Sequence, residues 1–257
     1  MHADAVYAKG CPLTNVAVFI DATIRRICRP HFGQQAAYSG YRKYHVVKYQ
    51  NLVAPDSIIV NQFGPVEGRR CDPWMVRESD LINMMVTGFH FSLTPATVGQ
   101  HTAAAVGAPT AHVVGPAGTF IQYCAFGDKG YYTSPTGALI SNYRRGPGGP
   151  PLTPAEEQFN AAIARGRIGV EWQYLKVVQQ MAYVDNYKQL KVFSTPVGLY
   201  YSVGTLLTNM HTCLYGSQTS KYFNLISSHQ PFTSICTCRE HCRDCHAYIQ
   251  NNMKDFL

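Results

Sequence analysis

The chain has 257 residues, 46% of them hydrophobic, so it is long and apolar enough to bury a full core and is not a disordered tail. Only 14% of the residues are charged, yet the net charge is +7, which favours an anionic partner such as nucleic acid, although an ordinary basic protein fits equally well. No apolar stretch is long enough to cross a bilayer, and the N-terminus lacks the features of a signal peptide.

The first predicted element is a strand over Val16–Ile20, a β-branched and aromatic run that is too short for a good helix. Asp21 comes directly after this run. A carboxylate inside a buried strand is costly unless it is paired or bound to a metal. We therefore place Asp21 at the strand's end, facing a cleft, and predict that it is the first ligand of a divalent-metal site that cuts nucleic acid.

Two further strands are predicted over Tyr38–Gln50, with one basic face, and over Ser57–Phe63, which together with the first make an antiparallel meander. A helical pattern follows from Trp74 to Val86. Asp72 stands immediately before Pro73, so we predict that it is the N-cap of this helix and favour that role over a catalytic one.

Residues 92–119 are rich in Ala, Gly, Thr, Pro and Val and are predicted to be a flexible surface insertion. The two histidines there, His101 and His112, are expected to be solvated. Phe120–Phe126 is another strand-like run, followed by Gly127 and Asp128. This repeats the pattern at Asp21, although an ordinary turn aspartate fits it as well.

A Pro- and Gly-rich loop over Ser134–Pro154 leads to a helix that Thr153 and Glu156 open as a capping box and that runs to about Tyr183. Glu171 lies within this helix among apolar neighbours. It is either exposed or an inward acid paired with Arg165 or Arg167, one turn earlier. A final helix is predicted over Val197–His211.

The nine cysteines fall into two groups. Five are scattered singly, which suits a reducing compartment better than a disulfide framework. The other four lie close together near the C-terminus, with His241 and His246 among them, and form either a zinc site or an unstructured, reduced tail. These four are Cys236, Cys238, Cys242 and Cys245.

Several segments, in this order, resemble the Harbinger (PIF/Harbinger) group of DDE transposases and the related DDE-superfamily endonucleases. The segments are Phe19–Pro30, Tyr38–His45, Phe63–Arg70, Phe126–Tyr131 and Arg167–Trp172. The resemblance extends from about Asp4 to Phe223, apart from the Ala- and Gly-rich insertion.

The resemblance implies an α/β, RNase H-like fold, with a mixed five-stranded sheet flanked by helices. It implies that Asp21, Asp128 and Glu171 are the catalytic acids, with a supporting role for Asp72. Three carboxylates can hold two Mg²⁺ or Mn²⁺ ions, which clamp both oxygens of an in-line displacement at a phosphodiester. The expected activity is hydrolysis, or hydrolysis and rejoining, of DNA in the nucleus.

Basic residues near these motifs are candidates for phosphate contacts, which give affinity without reading sequence. Each of them taken alone is more readily a solvated surface charge. The candidates are Arg25, Arg26, Arg42, Lys43, Arg69, Arg70, Arg165 and Arg167.

Some positions depart from the family pattern. Cys71 stands where the family usually has His, and Lys129-Gly130 stands where it usually has Pro-Ala, so Lys129 could pair with Asp128 or contact phosphate. Family members carry a helical DNA-binding region upstream, and we expect residues 1–15 to be a lead-in without it, residues 16–225 the nuclease domain, and residues 226–257 a Cys- and His-rich tail.

The partners expected besides DNA are a separate DNA-binding protein and further copies of the chain. The rival interpretation is a catalytically inactive, domesticated transposase that binds DNA or acts as a scaffold. The sequence contains no nucleophile elbow, P-loop or dinucleotide fingerprint that would support another class of hydrolase.

Overall fold

The computed structural model describes residues 2–88, 90–92, 112–115, 118–146 and 148–225. The strands are β1 (Val16–Arg26), β2 (Tyr38–Ser39), β3 (Tyr44–Val53), β4 (Ile59–Glu67), β5 (His90–Ser92), β6 (His112–Gly115), β7 (Gly118–Gln122), β8 (Cys124–Gly127) and β9 (Leu139–Ser141). The helices are α1 (His2–Ala8), α2 (Gln34–Ala37), α3 (Asp72–Glu78), α4 (Leu81–Gly88), α5 (Pro154–Gln180), α6 (Val197–Tyr215) and α7 (Gln218–Tyr222), with a 3₁₀ helix at Ala182–Asp185. Within these ranges, no helix combines the length and apolar character that a membrane span requires.

The main sheet has the strand order β2-β3-β1-β8-β9, and β4 also pairs with β3. β1, β3 and β4 are antiparallel, whereas β8 lies parallel to β1 and β9 parallel to β8. The predicted meander and the mixed α/β class are therefore confirmed. β9 was not predicted, because its three residues lie in a segment whose composition indicated a long loop.

β1 is longer than predicted, and Asp21 lies in its middle rather than at its end. β3 pairs with β1 as far as Arg26, so the strand continues past Asp21. Pairing with β8 stops earlier, at Ile20 opposite Gly127. Asp21 therefore lies in the middle of the strand, at the point where β1 loses its parallel neighbour β8.

Both faces of β1 are covered, because successive side chains of a strand point to opposite faces. One face packs against α5 and α6, in a cluster that includes Phe19, Ile163, Val177 and Tyr201. The other packs against α3 and α4, in a cluster that includes Val18, Ile20, Val76, Leu81 and Met85. The central strand is thus fixed from both sides.

The predicted helix over Trp74–Val86 is two helices, α3 and α4, separated where Asp80 has a φ of 50°. Asp72 is the first residue of α3 and not its N-cap; Cys71 occupies that position without a capping side-chain hydrogen bond. The N-cap prediction for Asp72 is wrong because Lys48 holds its carboxylate, with Nζ 3.0 Å from Oδ1.

Part of the predicted insertion is built into strands. β5, β7 and β6 form a separate three-stranded antiparallel sheet in that order. The rest of the segment, including His101, lies outside the described residues, as do the four tail cysteines proposed for zinc. The five scattered cysteines are free thiols, as expected for single cysteines.

α5 begins at the predicted capping box and continues through Gly166 and Gly169 to Gln180. Thr153 Oγ1 accepts from the Glu156 backbone N at 3.3 Å, and Glu156 Oε2 accepts from the Thr153 N at 2.7 Å.

Replacing Thr153 by Ala is expected to lower the free energy of unfolding by about 1 kcal/mol, because an N-cap acceptor is lost. Urea denaturation measures this; Ser194→Ala, which removes an exposed hydroxyl, is the control, and equal stability of both variants would contradict the capping role.

Candidate active site

Asp21 and Asp128 follow paired residues on two neighbouring parallel strands. Ile20 of β1 is opposite Gly127, the last residue of β8, and Asp128 comes next. Neighbouring strands lie about 4.8 Å apart. The sheet therefore brings these two aspartates to adjacent positions, with Asp128 directly after its strand as the sequence pattern predicted.

Glu171 and Arg167 come to the same place from α5. The Arg167 guanidinium lies 3.5 Å from Asp128 Oδ2 through Nη1 and 3.1 Å from Glu171 Oε1 through Nη2. The predicted pairing of Glu171 with an arginine one turn earlier is thus present, and the same arginine also reaches Asp128. Lys129 is exposed and does not take this role. The side chain of Arg165 lies outside the described part.

The partly buried position of Asp21 disfavours its ionised form. The pKa of this carboxyl is raised to about 6, mainly by burial and to a smaller extent by the charges of Asp128 and Asp72. The Arg167 charge and a hydrogen bond from the Ala22 backbone N to Oδ1, at 2.8 Å, act in the opposite direction. A carboxyl group with a perturbed pKa among other acids is typical of a functional site.

Asp72 joins these acids beside Asp128. A Cβ added at Gly130 would lie 2.7 Å from Asp128 Oδ1 and 3.0 Å from Asp72 Oδ2, so both carboxylates lie against this glycine. The Gly130 backbone N donates to Asp128 Oδ1 at 2.6 Å. Lys48, only 9% exposed, compensates Asp72 and also donates to the Arg70 carbonyl at 2.8 Å.

Sequence reasoning missed two tyrosines that frame the acids. The Tyr174 hydroxyl donates to the Asp21 carbonyl at 2.6 Å, which ties α5 to β1 one turn after Glu171. Tyr131 is buried, and its hydroxyl has no hydrogen-bond partner among the described residues. Burial and the charges of Asp72, Asp21 and Asp128 raise the pKa of Tyr131 well above its ordinary value. The sequence feature that could have identified these tyrosines is their spacing, because each one follows a predicted catalytic acid by three residues.

The predicted phosphate contacts separate into interior and surface residues. Arg25 is only 8% exposed; its guanidinium stacks 4.9 Å from the Tyr201 ring and donates to Thr23. Arg70 pairs with Glu67 at 2.7 Å, and Arg167 lies within the acid site. The side chains of the remaining described candidates are exposed, namely Arg26, Arg42, Lys43 and Arg69.

The donor chemistry of the site fits a hard divalent cation. Within the described ranges, no three His, Cys, Asp or Glu side chains are already close enough to hold an ion. However, the acids supply the carboxylate oxygens that Mg²⁺ and Mn²⁺ prefer, and one of them, Asp21, is partly buried, where an unpaired negative charge is unfavourable. The positive charge between Asp128 and Glu171 is that of Arg167, so an ion would share the site with this guanidinium or displace it.

The sequence profile of a family described as DDE superfamily endonuclease matches residues 20–192, about two thirds of the chain. The chain belongs to this family. Membership of this family supports the nuclease-like function that the sequence predicted, and the matched residues include Asp21, Asp128 and Glu171. No curated protein and no solved structure matches the chain.

Proposed function

We propose that this domain cuts DNA phosphodiester bonds, and that Asp21, Asp128 and Glu171 hold the two divalent metal ions that the reaction uses. The observation that carries the proposal is the shared guanidinium of Arg167. It contacts Asp128 and Glu171, and its charge acts on Asp21. These interactions support a common site for the three acids, which come from β1, the end of β8 and α5.

Two metal ions held by these carboxylates would supply activation of the attacking oxygen and stabilisation of the leaving oxygen. The chain itself does the positioning. Tyr174 fixes the catalytic part of β1 against α5 through its 2.6 Å hydrogen bond to the Asp21 carbonyl. Lys48 holds Asp72 beside Asp128, in a supporting role, and keeps that part of the site close to electroneutral.

Exposed basic side chains would hold the DNA by its phosphates and provide affinity without sequence specificity. Arg26, Arg42, Lys43 and Arg69 are the candidates that are both exposed and described. Because the domain's net charge is +7, DNA would also be attracted over longer distances, and binding should weaken with added salt.

The finer classification is part of the same proposal. A mixed sheet centred on β1, helices on both faces and an acid on a late helix support an RNase H-like fold. Membership of the Harbinger group, nuclear localisation, a separate DNA-binding partner and self-association rest on the sequence resemblance and stay predictions. So does rejoining of the cut DNA.

The proposal is tested by incubating the full chain with supercoiled plasmid in Mg²⁺ or Mn²⁺ and measuring the rate at which nicked circles form. We expect nicking with either ion and none with a chelator.

The alternative, an inactive domesticated transposase, is favoured by one observation, the arginine that already compensates the acids. DNA binding without nicking in either metal would support that alternative and refute the nuclease.

Gly130→Ala is expected to lower the nicking rate about 10- to 100-fold with little loss of stability. The added Cβ would lie too close to the carboxylates of Asp128 and Asp72. Both carboxylates would have to move away from it, and Asp128 would then be displaced from the position in which it is proposed to hold a metal ion. Gly146→Ala is the matched control, since nothing lies within 4 Å of its added Cβ. Rates are compared in the plasmid assay and stability by thermal unfolding, and equal nicking by both variants would refute the crowding at Gly130.

A further inference from the structure

The segment from Ala22, in the second half of β1, to Pro55, ahead of β4, carries basic residues without acidic ones. Residues 22–55 contain six Lys and Arg residues and no Asp or Glu. Arg25 and Lys48 are buried, and the other four are exposed, namely Arg26, Arg29, Arg42 and Lys43. This surface therefore attracts phosphates without carboxylates of its own segment to repel them.

The same segment exposes two aromatic rings. Tyr41 is 82% exposed and Phe32 is 73% exposed, although aromatic side chains gain most when they are buried. Both lie in the connection between β1 and β3. The Arg42 guanidinium lies 5.1 Å from the centre of the Tyr41 ring, so a cation and an aromatic face are presented together.

Tyr41 is presented by an ordered turn. The Lys43 backbone N donates to the Ser39 carbonyl at 2.8 Å, and the Arg42 N donates to Ser39 Oγ at 3.3 Å. Ser39 pairs with Tyr44 across β2 and β3. Lys43 has a φ of 62°, an uncommon conformation for a residue with a side chain. The turn therefore holds the Tyr41 ring in solvent instead of letting it fold back onto the protein.

The turn lies just before β3, at the end of the sheet where β1 finishes beyond Asp21. Arg26, the last residue of β1, is five residues further along and therefore about 17 Å from Asp21. It is paired with Val46, close to the start of β3. At about 3.4 Å per base pair, this distance corresponds to about five base pairs of DNA.

We propose that Tyr41 and Phe32 stack on unpaired bases of DNA, while Arg26, Arg29, Arg42 and Lys43 contact the flanking phosphates. The inference deepens the proposed function, since it rests on DNA being bound at the acid site. It names the preferred substrate as DNA with a locally unpaired segment near the bond that is cut. Aromatic faces accept any base, and each stacked base is worth about 1–3 kcal/mol, which makes such a site structure-selective rather than sequence-selective.

The test measures DNA binding in a chelator, so that no cleavage occurs. Fluorescence anisotropy compares a fully paired duplex with the same duplex carrying a central unpaired segment. Tyr41→Ala is expected to weaken binding to the unpaired substrate by about 5- to 100-fold and to change duplex binding less than about twofold. Tyr41→Phe should bind like the wild type, because the ring is kept.

Tyr215→Ala is the matched control, since this tyrosine is 75% exposed on α6, outside the segment. It should leave binding to both substrates unchanged. A 2-aminopurine base in the unpaired segment gives a second readout, because stacking on Tyr41 quenches its fluorescence and Tyr41→Ala should abolish the quenching.

The outcomes separate this inference from the nuclease proposal. Preference for unpaired DNA that is lost in Tyr41→Ala supports stacking, even if no plasmid is ever nicked. Equal binding by wild type and Tyr41→Ala, or an equal loss on both substrates, overturns stacking and leaves the nuclease proposal standing if nicking is seen. No DNA binding at all would overturn stacking, and it would overturn the nuclease proposal as well if no nicking is seen with either metal.

Discussion

Asp21→Asn is expected to abolish metal-dependent nicking, by about 1000-fold or more, and at the same time to stabilise the metal-free protein at neutral pH. The loss of activity follows because an amide lacks the negative charge with which Asp21 would hold a metal ion at the reacting phosphate. The gain in stability follows because the amide removes a charge that burial makes unfavourable.

The pH dependence of this gain has a definite sign. Burial raises the pKa of Asp21 to about 6, whereas an unfolded aspartate titrates near 3.9. Between these values the folded state binds more protons than the unfolded state, so stability falls as pH rises and stays low above pH 6. The difference between these two pKa values corresponds to about 3 kcal/mol, an upper limit for the gain in Asp21→Asn at pH 7.

Urea denaturation in a chelator at several pH values measures this difference between the variant and the wild type. The difference should be largest at pH 7 and vanish below about pH 3, where the wild-type carboxyl is protonated in both states. Asp185→Asn, at an exposed aspartate, is the control and should show neither effect. A variant that is less stable than the wild type at pH 7 would contradict the buried, unfavourable charge.

Arg167→Gln is expected to tighten the binding of Mn²⁺ by about 10- to 100-fold while lowering the nicking rate. The guanidinium lies within 3.5 Å of Asp128 Oδ2 and 3.1 Å of Glu171 Oε1, so it repels a cation that uses the same oxygens. Stability should fall by less than about 1 kcal/mol, because Glu171 is 60% exposed and its ion pair is largely screened. Activity falls because the guanidinium no longer orients the two acids.

Isothermal titration calorimetry with Mn²⁺ measures the affinity directly and does not depend on activity. Arg167→Lys keeps a positive charge and should bind Mn²⁺ like the wild type. Arg77→Gln, which removes the partner of Glu78 on α3, should also leave the affinity unchanged. Weaker binding of Mn²⁺ in Arg167→Gln would contradict the claim that Arg167 competes with the ion for these oxygens.

The sequence was a good guide wherever a pattern reports local physics. The capping box at Thr153 and the helix after it were predicted, because N-cap and first-turn residues act within four positions. The meander was predicted from three apolar runs with short connections. Asp128 was correctly placed after a strand because Gly127 and the polar residues beyond it end the apolar run.

The incorrect predictions concern residues whose positions depend on tertiary contacts, which the sequence does not show. The sequence could not show that β3 pairs with β1 as far as Arg26, so Asp21 was placed at a strand end instead of in an opening within the sheet. Asp72 looked like an N-cap because its partner, Lys48, is 24 positions away. Arg25 looked like a phosphate contact because nothing local reveals that Tyr201 covers it.

The central claim is that one divalent-metal site is shared by Asp21, Asp128 and Glu171, and crystals grown with Mn²⁺ and uncleaved DNA test it most directly. The account predicts anomalous scattering peaks within coordination distance of all three carboxylates, with the Arg167 guanidinium moved off at least one of them. Peaks confined to other residues, or no peak at these acids at saturating Mn²⁺, would contradict it.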